Sequence, residues 1–410
     1  MRIKSILAIG IRVLVSFLSF LLTYVISSKL SVSDSSIFFL FLSLQSIVLV
    51  FFTIGLTDYI IKNGSSVYTE KLQFSGFFFS CISLVSMFSI CSCIIFYFIY
   101  IGGFISIENI NVFYIIFSFV PISLIALISG FFQAKKFSYQ SIFISGILPF
   151  IFCTATFFIS DVNFDMVSKI YFISAIVSLL ISILMFFYSV RPSFKESLNF
   201  KFIKDYELFN MFIVQILFQM FSQNAILMMG FFDNSYEVSF LAVSLRIITC
   251  ISIVLLAINK VISSEVAISY KNKDIIKLKK ILKNSSQIMI VICFPLICII
   301  LIFPQEIMSI FGSKYKEYYN VLRILALGQI VNIFTGNVGL VLSMTGFVAY
   351  LRKSMFIGLA LSVLLGFILI PMFGVIGAAW CVAISTAAIN LLSSYYVKKN
   401  LNINMLKVPF

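Results

Sequence analysis

Apolar runs of roughly twenty residues recur along the whole chain, divided by short polar stretches. A helix needs about 20 mostly apolar residues to cross about 30 Å of hydrocarbon. Twelve runs meet that length: 5–27, 36–57, 75–100, 112–132, 140–160, 168–190, 208–231, 238–260, 284–304, 318–344, 353–372 and 375–397. The pattern predicts an all-α integral membrane protein. The first run, Ile6 to Ile26, is too long for the apolar core of a cleaved signal and lacks a small-residue cleavage site, so it is expected to be the first span. The last two runs are separated only by Met372, Phe373 and Gly374 after Pro371, which predicts a tight turn. The run 318–344 is the most polar, with Arg323, Asn332 and Asn337.

Charge tests this division independently. With the N-terminus placed in the cytoplasm, 22 of the 29 Lys and Arg fall on the cytoplasmic side, 4 on the opposite side and 3 within spans. Cytoplasmic loops are expected to carry such an excess, and one span too many or too few would scramble it. Both termini are therefore expected in the cytoplasm. The composition agrees: 61% hydrophobic, 11% charged, mean hydropathy +1.13, against about 25% charged in soluble domains. The net charge of +14 is distributed among these loops, so it does not indicate a nucleic-acid partner.

The two longest polar stretches, Arg191 to Glu207 and Ser263 to Lys283, both fall on the cytoplasmic side. The second, with Lys277, Lys279, Lys280 and Lys283, reads as a helix lying on anionic headgroups of the membrane lipid. The first follows the sixth span and divides the chain into a six-helix bundle at 1–190, a connecting loop at 191–207 and a second six-helix bundle at 208–410. A weak repeat supports the division. Phe39-Leu40-Phe41-Leu42-Ser43-Leu44-Gln45 in span two aligns without gaps to Phe240-Leu241-Ala242-Val243-Ser244-Leu245-Arg246 in span eight. Both spans follow acidic residues, Asp34 in one case and Asp233 and Glu237 in the other.

Polar groups inside a bilayer are costly and usually face a cavity or another helix. Span one carries Arg12, Ser16, Ser19 and Thr23 at i, i+4, i+7 and i+11, a single stripe. Arg12 either snorkels to the headgroups or faces a cavity. Span seven carries Gln215, Gln219, Ser222 and Gln223, with Asn224 beside them. Their carboxamides could bond sugar hydroxyls as donor and acceptor together or tie helices to one another. Arg246 lies near the middle of span eight, and no Asp or Glu lies within any span. A cavity that admits an anion fits a permanent charge there. Lys260, further along, reads as a cytoplasmic anchor. Gly328, Asn332, Thr335 and Gly339 in span ten read as a packing seam, and Arg323 as a snorkelling residue at the outer end. Asp58 ends span two, where it could help gate or pair with Lys62.

The chain has no His, so no imidazole relay or His metal ligand is available. The 8 Cys are scattered through apolar runs, and Cys91 and Cys93 point to different helix faces. No metal site or disulfide framework is expected, and with no phosphate-binding loop and no nucleophile–base pair, no cofactor or catalytic residue either.

The C-terminal third carries the most specific motifs: Phe311-Gly312-Ser313-Lys314-Tyr315, Val321-Leu322-Arg323-Ile324-Leu325-Ala326-Leu327, and Ile370-Pro371-Met372-Phe373-Gly374-Val375-Ile376-Gly377-Ala378-Ala379-Trp380. These resemble the polysaccharide-exporter flippases of the MATE-like (multidrug/oligosaccharidyl-lipid/polysaccharide) superfamily, specifically the Wzx O-antigen flippases. Ser33 to Phe38 and Ile54-Gly55-Leu56 fit more loosely the start and end of that family's second span. Ser36 stands where many members have Gly, a departure expected only to change packing. The resemblance implies two six-helix bundles around a central cavity in a bacterial inner membrane. It implies an undecaprenyl-pyrophosphate-linked oligosaccharide as substrate, with an O-antigen polymerase and chain-length regulator as partners. Arg12 and Arg246 would then meet the pyrophosphate, and Gln215, Gln219 and Gln223 the sugars. A cation-exporting multidrug antiporter would be expected to bury carboxylates. A peptidoglycan-precursor flippase would be expected to be longer, and an O-antigen polymerase to have a large periplasmic loop.

The charge alternation predicts that reporter fusions after residues 200 and 400 both read cytoplasmic. A periplasmic signal at either position would break the assigned topology.

Overall fold

The computed structural model describes residues 2–63, 71–101, 112–135, 137–157, 163–192, 200–232 and 235–405. Asp233, Lys136, Lys195 and Lys407 lie outside the described residues, as do the side chains of Arg12 and Lys260. All regular structure among the described residues is helical, the form in which a single segment satisfies its own backbone in hydrocarbon. The chain forms α1 (Arg2–Lys29), α2 (Val32–Thr53), α3 (Leu56–Asn63), α4 (Lys71–Ile101), α5 (Phe113–Ala134), α6 (Ser138–Phe157), α7 (Phe164–Val190) and α8 (Tyr206–Phe231). It continues through α9 (Val238–Lys271), α10 (Ile275–Ile302), α11 (Pro304–Ser309), α12 (Ser313–Glu317), α13 (Tyr319–Thr335), α14 (Val338–Met344) and α15 (Val348–Leu401).

Most of the apolar runs lie mainly on a single helix, but 36–57 crosses a break at Ile54–Gly55 from α2 into α3, and 318–344 is divided between α13 and α14. Eight helices among the described residues are long and apolar enough to cross a membrane, or nine if α13 and α14 count as one bent span. The 54 residues of α15 carry the last two runs. A straight helix of that length would reach about 80 Å, but Gly374 leaves helical geometry at φ 55° and ψ −132° and divides it. The turn predicted after Pro371 is at this residue.

Two expectations need correction. The run 318–344 is broken: α13 ends at Thr335, Gly336 takes φ 69°, and α14 departs at 45°. The lysine-rich stretch 263–283 does not form a separate helix on the membrane surface. Nothing in 261–271 interrupts helix, so α9 continues to Lys271. A turn follows, with Lys273 at φ 56°, and the Asp274 carboxylate caps α10 by accepting from the Lys277 amide at 2.9 Å. Lys277, Lys279, Lys280 and Lys283 lie exposed along the start of α10.

Two compact units make up the chain, residues 1–30 with 44–219, and 31–43 with 220–410. The division falls inside α2, between Ser43 and Leu44, and inside α8, between Gln219 and Met220.

The first unit is held largely by aromatic packing between α4, α5 and α7. Phe74, Phe77, Phe78, Phe131, Phe132 and Phe186 are all at most 1% exposed. Phe78 stacks on Phe186 at 4.2 Å, and Phe131 meets Phe74, Phe77 and Phe78 edge-on. Such pairs contribute about 0.5–1.5 kcal/mol each beyond burial. Small residues allow the close approach: Ser174, Ser178 and Ser182 line the buried face of α7, and Ser178 and Ser182 return their hydroxyls to the preceding turn. At the end of α2, Gly55 sits at φ 73°, and a Cβ there would meet the Phe212 amide nitrogen at 2.6 Å.

In the second unit, α13 packs against the latter half of α15, and a Cβ on Gly328 would lie 2.8 Å from Ala383 Cα. Ser36 does more than alter packing. Its hydroxyl donates to the Tyr236 carbonyl at 2.7 Å and accepts from the Ser239 amide at 3.0 Å, tying the start of α2 to the start of α9. Glu237 secures the break in α15. Its carboxylate accepts from the Val375 amide at 2.8 Å, capping the final helical segment. A Cβ on Gly374 would fall 2.5 Å from Glu237 Oε2.

Gly374 therefore meets two constraints at once. Gly374→Ala is expected to lower the apparent melting temperature in detergent by several degrees, since such backbone strain costs about 1–3 kcal/mol before the clash with Glu237. Glu237→Gln, which keeps an oxygen acceptor, should cost less. Equal melting temperatures for Gly374→Ala and the wild type would show that the break is not held as described.

Candidate functional site

Two members of the stripe on α1 return their hydroxyls to the preceding turn of the helix. Ser19 donates to the Val15 carbonyl at 3.0 Å and Thr23 to the Ser19 carbonyl at 3.3 Å. Thr23 is buried, while Ser16 and Ser19 are half-buried. The side chain of Arg12, the charged member of the stripe, lies outside the described residues.

The carboxamides of α8 divide between the two units. In the first unit, the Gln215 amide donates to Thr57 Oγ1 at 2.9 Å, next in sequence to Asp58. The structure thus brings Gln215 to the start of α3, where Asp58 is exposed in the first turn. Gln219, one turn further, is half-buried. In the second unit, the Asn224 amide donates to Ser362 Oγ at 2.9 Å, and the Cys381 thiol donates to the Ser362 carbonyl at 2.9 Å. This chain links α8 to both segments of α15. Gln223 is half-buried and reaches Ser222 Oγ only at 3.5 Å. Gln215 and Asn224 therefore tie helices together, whereas the Gln223 contact stays within α8.

Arg246 lies eight residues into α9, about 12 Å along the axis at 1.5 Å per residue. It is half-buried and flanks the face formed by Phe240, Val243, Ser244, Ile247 and Ile251, all buried. Its backbone carbonyl accepts from Thr249 Oγ1 at 3.0 Å and from the Cys250 thiol at 3.7 Å. Arg323 anchors locally: its Nε donates to the Leu301 carbonyl at 3.3 Å, and its guanidinium lies over the Tyr319 ring.

One polar residue escaped the sequence reading. Gln45 is only 6% exposed, accepts from the Tyr171 hydroxyl at 3.0 Å, and its Nε2 has no hydrogen-bond partner among the described residues. The internal repeat offered a signal, since its register places Gln45 opposite Arg246. Among the described residues no cluster of three or more His, Cys, Asp or Glu could hold a metal ion.

No family model matches the sequence, and no curated protein matches it. Solved structures match over nearly the full length. A lipid II flippase, MurJ, in an inward closed conformation superimposes with a TM-score of 0.70 at 18% identity, covering 100% of this chain and 90% of that one. A multidrug resistance MATE family transporter of the MOP superfamily, inward-facing, gives 0.70 at 12% identity over 97% and 98%. A MOP superfamily transporter from Pyrococcus furiosus, described as having a binding pocket of reverse polarity, gives 0.65 at 13% identity over 98% and 95%. The chain is an all-α membrane protein with the fold of these transporters.

Proposed function

We propose that this protein is a flippase of the Wzx type. It carries undecaprenyl-pyrophosphate-linked repeat units of O-antigen, or of a related polysaccharide, from the cytoplasmic to the periplasmic leaflet by alternating access. The observation that carries the reading is Arg246, a permanent cation set well inside a span in a chain whose spans contain no Asp or Glu. Such a charge suits an anionic headgroup: a guanidinium can hold phosphate oxygens through two parallel charge-assisted hydrogen bonds. Two further observations support it. The motifs of the C-terminal third resemble the Wzx flippases, and the fold is shared with a flippase of lipid II.

In this scheme Arg246 and Arg12 receive the pyrophosphate. Gln219 and Gln223 contact the sugars, with Gln215, Asn224, Ser16 and Ser19 completing the polar lining. Asp58, exposed at the start of a short helix after the Gly55 break, gates access. The two bundles, 1–190 and 208–410, alternate about the substrate, with both termini in the cytoplasm of a bacterial inner-membrane protein. An O-antigen polymerase and a chain-length regulator receive the flipped unit. A multidrug resistance transporter of the MATE family shares the fold, but the spans here contain no Asp or Glu of the kind a cation cargo would be expected to meet.

The roles of the two arginines separate in a strain that depends on this protein for surface polysaccharide. Arg246→Ala should abolish the polysaccharide at a normal membrane level of the protein. Arg246→Lys should restore only part, because it keeps the charge and loses the fork. Arg12→Ala should be milder than Arg246→Ala. Full activity of Arg246→Ala, or loss explained entirely by failure to accumulate, would remove the anion-binding role.

A further inference from the structure

The lysine-rich stretch between the eighth and ninth apolar runs is a helical hairpin, which changes what its charges can reach. The runs end at residue 260 and resume at 284, yet α9 continues to Lys271 and α10 begins at Ile275. Eleven residues of α9 beyond Lys260 rise about 16 Å, and Ile276 lies about 12 Å along α10 from Asn284. The two helices pack on each other in this part: Val266 of α9 belongs to one buried cluster with Leu278 and Leu282 of α10. Val397 and Leu401 of α15 join the same cluster, and Leu351 packs against it. Exposed Lys398, Lys399, Arg352 and Lys353 therefore stand at this end of the second unit as well.

Between residues 261 and 285 the sequence holds six Lys against two acids, Glu265 and Asp274. Lys271, Lys273, Lys277, Lys279 and Lys280 are exposed, while the Asp274 carboxylate is occupied in capping α10. Among these charges Ile276 is 85% exposed. It shares a helix face with Lys279 and Lys280, three and four residues on.

Lipid alone does not account for this tip. The headgroup layer extends roughly 5–7 Å beyond the hydrocarbon, and its field fades over about 8 Å at physiological ionic strength. Lys280 and Lys283 lie within reach of that layer from the apolar run. Lys277, about 10 Å along the helix from Asn284, lies past it, as do Lys271 and Lys273 at the turn. Nucleic acid would use the lysines and leave Ile276 in water. A second copy of this chain would bring the same positive charge to the contact. An acidic protein surface with an apolar socket uses every feature: a central apolar anchor sheltered by a polar rim is the common form of protein interfaces, and opposite charge fixes their orientation.

We infer that the α9–α10 tip docks an acidic surface of a cytoplasmic protein, with Ile276 entering an apolar socket and Lys271, Lys273 and Lys277 meeting carboxylates around it. This rests on the cytoplasmic assignment of that end and on no assumption about the cargo. The reporter fusion after residue 400, at the same end of the unit, tests the assignment separately.

The test places the photocross-linker p-benzoylphenylalanine at Asn272, exposed at the tip, in the full chain in intact cells of a strain that depends on it. Illumination should give a discrete protein adduct, identified by mass spectrometry as a cytoplasmic protein or domain with an acidic surface. Lys273→Glu with Lys277→Glu should lower the yield at least about tenfold at an unchanged membrane level, since like charges would then face each other. Ile276→Ala, which leaves the charges intact, should lower it as well. Replacing carboxylates on the captured surface by Lys should restore the yield with the doubly reversed chain. Adducts with lipid or nucleic acid alone, or no adduct, would overturn the inference. So would a yield indifferent to Ile276→Ala, which would mark general charge attraction, or a failure of the charge swap to restore binding.

Discussion

A peptide group without a hydrogen-bond partner costs several kcal/mol in hydrocarbon, with no water to replace the bond. Yet this chain interrupts its apolar helices at Ile54–Gly55, at Gly336 and at Gly374. At each interruption the backbone has been given something to meet. Gly55 lies against the Phe212 backbone, Gly374 leads into an amide capped by Glu237, and Gly336 lies beside the buried hydroxyl of Ser286. The positive φ at these glycines turns the chain, and the absent side chain lets the neighbour approach. The breaks are therefore places where the fold is specified, because a continuous apolar helix carries little information about its partners.

Between the breaks, packing rather than hydrophobicity must choose partners, since lipid tails are as apolar as leucine. The two units solve this differently. The first uses interlocked phenylalanines, with serines on α7 making room. The second uses bare backbone approach at Gly328 and a thin polar chain from Asn224 through Ser362 to Cys381. Each hydrogen bond in such a chain contributes only about 0.6–2 kcal/mol. Its value is in fixing register, which apolar faces alone leave loose.

Much of this was legible in the sequence. Run length gave the helices, and Pro371 with Gly374 marked the turn inside α15. The break at Gly336 was hidden because Thr335, Gly336 and Asn337 are too few to divide a run that is apolar on both sides of them. The extension of α9 beyond residue 260 was hidden for the opposite reason: charged residues end a membrane span without ending a helix. The polar stripes were visible as spacing, but their partners were not. Gln215 with Thr57, Asn224 with Ser362 and Tyr171 with Gln45 are separated by 158, 138 and 126 residues. No local pattern reports such pairs, so spacing could not tell which carboxamides tie helices together.

The central claim is that a membrane-embedded guanidinium serves an anionic lipid-linked cargo. Reconstitution measures this most directly, with the purified chain in liposomes carrying a fluorescent undecaprenyl-pyrophosphate oligosaccharide and a membrane-impermeant quencher reporting the exposed leaflet. The account predicts protein-dependent movement of the label between leaflets, with the lipid-linked sugar recovered chemically intact. An undiminished barrier to that lipid, a polymerised product, or transport of organic cations in its place would contradict it.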